Sequence, residues 1–246
     1  PTKRENLFDF YKNLPLGHSV AWPLCPTDLW CTFLTLCAQD SGRGFIKNCS
    51  VDVKTGSLAL DEIKKHLEFL HPESIDWNPI QVLDKMGESD EIIYSPFLFG
   101  YTNYSRKGYK KNLLRFGNSP VNPKHDVSTI LGGVGLAVSA NCQNKEIAAK
   151  YVSYVASSKI QQGIYTRNGG QPGNLRAWES HDNNELCHDF FLNTIETMNR
   201  AYVRPQHKGW NQFQEMGADL LHNGIVKDLP SEQLVKDLNL LYKSNV

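Results

Sequence analysis

Apolar residues recur at three- and four-residue intervals in seven stretches of the chain, the spacing that stacks side chains on one face of an α-helix. Leu7, Phe10, Tyr11 and Leu14 form the first stripe. Leu29, Phe33, Leu36 and Cys37 form the second, behind Pro26, whose fixed φ suits a first helical turn. Leu60, Ile63, Leu67 and Leu70 make the third, stopped at His71-Pro72 because the residue before a proline is pushed out of the helical region. Ile147, Ala148, Tyr151, Val152 and Val155 predict a fourth helix, and Leu186, Phe190, Ile195 and Met198 a fifth. Trp210, Phe213, Gly217, Leu220 and Leu221 predict a sixth that ends near Gly224. Leu234, Leu238, Leu241 and Tyr242 close the series, with Ser231 placed to cap the helix after Pro230.

Between the helices lie strand-like runs at 19–22, 91–94, 113–116 and 130–139, and clear loops at 118–123 and 169–173. Strands separated by helices predict an α/β fold with a largely buried sheet. No internal repeat or low-complexity segment interrupts the pattern.

Composition narrows the classes. With 246 residues the chain is long enough for one large domain or two small ones, and 40% hydrophobic, 11% aromatic and 21% charged residues are the proportions of an ordinary globular protein. Lys+Arg and Asp+Glu are both 26, so no global field draws the protein to nucleic acid or anionic lipid. Arg106, Lys107, Lys110 and Lys111, interleaved with Tyr104 and Tyr109, form a local basic run that reads as a solvated loop, because it lacks any nucleic-acid-binding motif. No stretch approaches the ~20 consecutive apolar residues of a membrane span. The chain begins at Pro1-Thr2-Lys3-Arg4 without an initiator Met or a signal peptide, a start that points to processing or truncation upstream.

Six cysteines contain no CxxC pair, which argues against a zinc ribbon or a thioredoxin-type centre. Cys25, Cys31 and Cys37 are spaced by six, a separation that does not stack them on one helix face, so they read as small core residues with disulfide pairing left open.

Catalytic motifs are scarce. Gly132-Gly133-Val134-Gly135 follows a strand-like start, but Val138 stands where a dinucleotide fingerprint needs glycine, so these glycines read as backbone bends that permit a close approach. His181 and His188, each beside an aspartate, are seven apart rather than the three or four of a helical metal pair. No nucleophile elbow, P-loop or kinase signature is present. Aromatic residues do cluster beside Gly/Pro loops: Trp22-Pro23, Trp30, Tyr94-Ser95-Pro96-Phe97, Tyr101 and Tyr104. Aromatic faces with nearby amides and hydroxyls suit a sugar ring, although for any single one of them core packing is the better account.

The order of these segments resembles the solute-binding proteins of ABC importers, of the maltose-binding-like class. The residues that carry it are Ser95-Pro96-Phe97-Leu98-Phe99-Gly100-Tyr101, then Gly132-Gly133-Val134-Gly135-Leu136-Ala137-Val138-Ser139-Ala140 and the helix after Asn144, then Gly169-Gly170-Gln171-Pro172, and finally Arg204-Pro205 with Trp210-Asn211-Gln212-Phe213. The resemblance implies a periplasmic-binding-protein-like (type II) two-lobe α/β fold, here mostly the second lobe and lacking the opening first-lobe segment. Residues 1–129 and 178–246 would build the second lobe, and 130–177 would return to the first. It also implies a non-catalytic role: the lobes close on a small polar ligand, a carbohydrate by class, and deliver it to permease subunits in the membrane. The implied ligand contacts are stacking by Trp30, Tyr101 and Tyr104, backbone and amide contacts from Gly133 and Gln171, and an anchor at Arg204. No cofactor, metal or nucleic acid is implied, the protein would be monomeric, and its compartment would be periplasmic or extracellular. Two other classes stay open on the residues alone: a hydrolase or transferase using Asp28, Asp84, Glu88 or Asp90 with a distant histidine, and a non-transport interaction module built on the lobe fold.

Overall fold

A computed structural model describes residues 1–245. In chain order its elements are α1 (Leu7–Lys12), β1 (Ser19–Val20), α2 (Pro26–Ser41), β2 (Ile46–Lys47), β3 (Ser50–Val51), α3 (Val53–Leu67), α4 (Pro79–Glu88) and β4 (Ile92–Tyr94). They continue as α5 (Lys145–Ala156), α6 (Ser158–Ile160) with a π-turn at Gln161–Tyr165, α7 (Leu175–Trp178), α8 (His181–Leu186), α9 (Phe190–Asn199), α10 (Trp210–Val226) and α11 (Ser231–Ser244). The backbone gathers into two compact units. Unit 1 comprises Pro1–Phe99, Ser119–Leu131 and the residues from Glu196 onward; unit 2 comprises Gly100–Asn118 and Gly132–Ile195.

Unit 1 is built around α2. Its run from Leu29 to Ala38 is apolar or small on every side, and a helix without a polar face is stable only when surrounded. Accordingly every residue from Asp28 to Gln39 is buried, with α3 and α10 packed against it and α11 closing the layer over both. Pro26 occupies the first turn as its fixed φ allows. Gly217 of α10 permits this approach, since a Cβ there would lie 2.9 Å from Leu238 and 3.0 Å from Trp30. α3 starts at a true cap, Asp52, whose carboxylate accepts the Thr55 N–H at 2.8 Å. α4 starts at a full capping box between Asn78 and Gln81.

Strand content is small. β1 pairs in parallel with β4, Ser19 beside Ile92 and Val20 beside Tyr94, and Val20 also bridges to Leu70. The runs at 19–22 and 91–94 thus form strands, in shortened form. β2 and β3 make a two-residue hairpin that the hydrophobic pattern did not reveal, with Asn48 and Cys49 at φ of 51° and 52°. Both turn residues adopt the left-handed conformation of such tight hairpins without the glycine that usually marks them.

Three sequence expectations are corrected. The 113–116 run is not a strand: the Leu114 N–H bonds the Tyr104 carbonyl, and the Leu114 carbonyl accepts from the Ser105 hydroxyl, so a loop rather than a ladder satisfies it. From 130–139 only Ile130 makes a bridge, to Tyr202, because the rest finds no neighbouring strand among the described residues. Ser231 is the first helical residue of α11 instead of its cap, and its hydroxyl turns to Asp61 at 2.6 Å.

A buried polar network ties the N-terminal segment into unit 1. Arg4 donates to Gln39 Oε1 at 3.1 Å and pairs with Asp40 and Glu62. Gln39 in turn donates to the carbonyls of Pro120 and Ser128 and accepts the Asn122 N–H. This satisfies polar groups that would otherwise be costly beside the core, and it fixes segment 119–131.

Unit 2 has a smaller core of Trp178, Cys187, Phe190 and Phe191, with Phe116 and Ile195 packed on it. Asn184 organises the turn around it, donating to the carbonyls of Trp178 and Ser180 and accepting the Leu192 N–H. By contrast, no residue of α5 is buried. All six cysteines are free thiols.

Candidate functional site

Of the six residues expected to contact a ligand, Tyr101, Tyr104, Gly133 and Gln171 lie in unit 2, and Trp30 and Arg204 lie in unit 1.

In unit 2 two loops are stitched together by one amide. Gln171 accepts the Thr102 N–H through Oε1 at 3.1 Å and donates from Nε2 to the Gly100 carbonyl at 3.2 Å. The loop carrying Gln171 is itself braced. Gln161 Oε1 accepts the N–H groups of Gly173 and Asn174, and Trp178 Nε1 donates to the Pro172 carbonyl at 2.7 Å. Gly169 has φ +93°, and Gly170 lies so close to the Tyr165 ring that a Cβ would come within 2.6 Å, so the Gly-Gly pair is demanded by the turn. This frame presents Tyr101 at the surface with 40% of its area exposed. Tyr104 instead points inward, 3% exposed and edge-on to Tyr109 at 5.1 Å. Gly133 sits in an exposed, irregular segment. What this arrangement can do chemically is stack a ring on Tyr101 beside amide and carbonyl groups held in fixed positions.

In unit 1 the expected stacking residue Trp30 is a core residue. Its side chain is fully buried between Phe33, Trp210 and Phe213, with ring centroids at 5.8, 6.1 and 5.4 Å, so it has no free face. Its burial follows from its place in α2, where neighbours cover every side. Arg204 is half-buried and donates to Gln214 Oε1 at 2.6 Å on α10. Just after it, residues 205–212 line an open cavity of about 530 Å³, with Gln206, His207, Lys208, Asn211 and Gln212 as its polar wall. His207 is held in place by Tyr242, whose hydroxyl lies 2.8 Å from Nε2. The sequence reading noticed the Trp210 to Phe213 run but assigned none of this wall. Amide side chains in a loop carry no periodic signal, so proximity to Arg204 was the only clue.

The titratable groups give little sign of catalytic tuning. Asp28 is pushed up by burial, and the Cys25 thiol donates to it at 3.1 Å. Cys25 itself is pushed up to about 11, first by burial, and Cys31 to about 12 for the same reason. Thiols so shifted stay protonated and are poor nucleophiles at neutral pH. Asp28 stands at the start of α2, while Asp84 and Glu88 lie on α4 with Asp90 just beyond. His181 is exposed, and His188 is turned to the Ser105 carbonyl at 2.7 Å. Among the described residues no cluster of three metal-ligating side chains occurs, and no helix is long and apolar enough to cross a membrane.

No family model matches the sequence, and no curated protein matches it. Solved structures do. Maltose-bound MalE3 of T. maritima superposes on 100% of this chain and 66% of its own, with a TM-score of 0.79 and 15% identity. An ABC transporter solute-binding protein from Agrobacterium radiobacter K84, in complex with ribitol, covers 99% of this chain and 64% of its own at a TM-score of 0.80 and 16% identity. UgpB from Mycobacterium tuberculosis, in complex with glycerophosphocholine, covers 99% and 63% at 0.71 and 11%. The chain therefore has the type II periplasmic-binding-protein fold, as the resemblance implied, and spans just under two-thirds of the length of these proteins.

Proposed function

We propose that this chain is the larger part of a solute-binding protein that captures a small polar ligand, a sugar or polyol, for an ABC importer, and that it is not an enzyme. The observation that carries the reading is likeness over the whole chain to proteins solved with maltose and with ribitol. The chemistry of each unit by itself supports it: unit 2 has an exposed tyrosine beside a braced amide, which suits stacking, and unit 1 has a wall of amides with His207 and Lys208, which suits hydroxyl recognition, neither with an activated nucleophile. In unit 2 Tyr101 is the stacking face, and Gln171 and the Gly133 backbone supply polar contacts; in unit 1, taken by itself, Arg204 is the candidate anchor. Trp30 and Tyr104 act from behind, by holding Trp210 and the 101–105 turn in place.

The reading places the protein in the periplasm or outside the cell, as a monomer, with membrane permease subunits as partners. It takes 1–129 and 178–246 as the second lobe and 130–177 as the piece that returns to the first. Of that piece, 132–177 lies in unit 2, which also takes in 100–118 and 178–195. Isothermal titration with maltose, maltotriose, ribitol and glycerophosphocholine tests the assignment. Tyr101→Ala and Gln171→Ala should each weaken the bound member of that series about 10-fold or more, since stacking and buried hydrogen bonds contribute on the order of 1–2 kcal/mol. Unchanged affinity in both variants would remove the site from unit 2.

A further inference from the structure

One loop of unit 2 gathers cations at its surface. Between Glu91 and Asp126 the sequence has no acidic residue, and Arg106, Lys107, Lys110, Lys111 and Arg115 fall within ten consecutive positions. The loop is tied at its root. The Leu114 N–H donates to the Tyr104 carbonyl at 3.0 Å, the Ser105 hydroxyl donates to the Leu114 carbonyl at 2.8 Å, and the Arg106 guanidinium donates to the Thr166 carbonyl. Beyond the root the Tyr109 N–H returns to the Arg106 carbonyl at 3.3 Å, and Gly108, at φ +80° with open space around it, turns the chain. Lys107 and Lys111 are exposed there, and Tyr109 keeps 48% of its area. Lys110 has a partner of its own, and Arg115 donates to the His188 carbonyl at 3.4 Å, with Asp189 next in sequence. Lys107 and Lys111 therefore carry the uncompensated charge; among the described residues neither has an ion pair or a side-chain hydrogen bond.

We infer that this loop is a contact point for an anionic lipid surface, with Lys107 and Lys111 among the headgroups and Tyr109 at the boundary between headgroups and acyl chains. Three features choose this partner. Lysine ammoniums are point charges on flexible stems, which suit a diffuse anionic layer rather than a fixed bidentate acceptor. The exposed tyrosine between them has an apolar ring and a polar tip, the side-chain type that settles at a membrane–water boundary. Nucleic acid would call for a track of stacking rings, whereas Tyr104 is buried and Tyr109 is the exposed ring of the loop. A stable protein interface takes about 20–30 residues a side, more than these ten positions offer. The chain has zero net charge, so the attraction is local to the loop and the contact is reversible. Neither Tyr101 nor Gln171 takes part, so this inference and the proposed function can fail independently.

Co-sedimentation with vesicles tests it on the 246-residue chain. Equimolar phosphatidylglycerol–phosphatidylcholine vesicles should bind the chain at ~20 mM salt and release it at ~0.5 M, where charges on the surface are screened. Pure phosphatidylcholine vesicles should bind it far less. A lysine near an anionic surface is worth about five-fold in partitioning, so Lys107→Gln with Lys111→Gln should lower binding to the anionic vesicles about 25-fold. Both side chains are exposed, so tryptophan-detected unfolding of this double variant should match that of the parent chain. Tyr109→Ser should weaken binding several-fold and leave its salt dependence unchanged. Absence of binding at low salt, equal binding to the neutral vesicles, or equal binding by the double variant would overturn the inference. So would tighter binding to an oligodeoxythymidylate or to polyglutamate than to the anionic vesicles in the same buffer, which would make a nucleic acid or an acidic protein the partner.

Discussion

Replacing Arg4 by Met removes a guanidinium that holds two carboxylates and an amide while keeping most of the apolar stem. Breaking a buried ion pair by deleting one partner costs roughly 3–5 kcal/mol, because a charge is left without compensation. Here three features lower that figure. The side chains of Asp40 and Glu62 keep 21% and 22% of their surface, so water screens part of the loss. Asp40 retains the Asn122 amide at 2.8 Å, and Gln39 retains the Asn122 N–H at 3.1 Å. Among the described residues Glu62 keeps His66 Nε2 at 3.6 Å, and it bears most of the penalty. The expected loss is about 2–3 kcal/mol, equivalent to a fall in Tm of roughly 4–12 °C for a chain of this size. Urea unfolding followed by tryptophan fluorescence reads unit 1, which holds Trp22, Trp30, Trp77 and Trp210, four of the five tryptophans. The midpoint should move with little change in slope. Adding Asp40→Asn and Glu62→Gln to Arg4→Met should recover most of the loss, since the uncompensated charges are then gone. A loss below about 0.5 kcal/mol, or a triple variant no better than the single one, would refute the account of this network.

Trp30→Ala should cost about 3–5 kcal/mol of stability through the cavity it leaves, measured by the same unfolding curves; loss of ligand affinity at unchanged stability would return Trp30 to the binding surface. Asp52→Ala should cost about 1 kcal/mol by uncapping α3. The Thr55 hydroxyl and N–H hold the Asp52 carboxyl below its usual range, so its contribution is present above the unfolded pKa near 3.8 and lost as pH falls below it. The difference between wild type and variant should therefore shrink on acidification and persist at pH 7. At the alkaline end, burial raises Cys31 from 9.0 to about 12. The folded state then keeps a proton that the unfolded state gives up, so stability should decline between about pH 9 and 12. Cys31→Ala should flatten that decline, and an unchanged slope would show that the thiol is not buried as described.

The helices were readable because amphipathic spacing is local, and Pro26 sits at its first turn as expected; the single helix expected from Leu186 to Met198 is instead broken into α8 and α9 by a turn at His188 and Asp189, with φ of 50° and 62°, and Leu14 and Leu70 fall just beyond α1 and α3. Caps were less so. Ser231 has the right chemistry and position, yet Asp61 draws its hydroxyl away, a competition visible only in three dimensions. The hairpin at Asn48-Cys49 escaped notice because its turn lacks glycine. The 130–139 run has strand composition, but a ladder needs a partner, and sequence does not show whether one is within reach. Among the candidate site residues, aromatic type did not reveal orientation: Trp30 and Tyr104 are buried while Tyr101 is exposed. Gln171 was singled out through the Gly-Gly-Gln-Pro loop, whose glycines the turn requires. The amide wall after Arg204 had no comparable signature.

The most direct test of a ligand-capturing role is a thermal-shift series with mono-, di- and oligosaccharides, polyols and their phosphodiesters, on the protein expressed from its whole natural reading frame. A ligand that binds only the folded state adds RT ln(1 + [L]/Kd), about 2.7 kcal/mol at 100 Kd. One sugar or polyol should raise Tm by several degrees, with its close isomers weaker. A well-folded protein whose melting no member of the series changes would contradict the account.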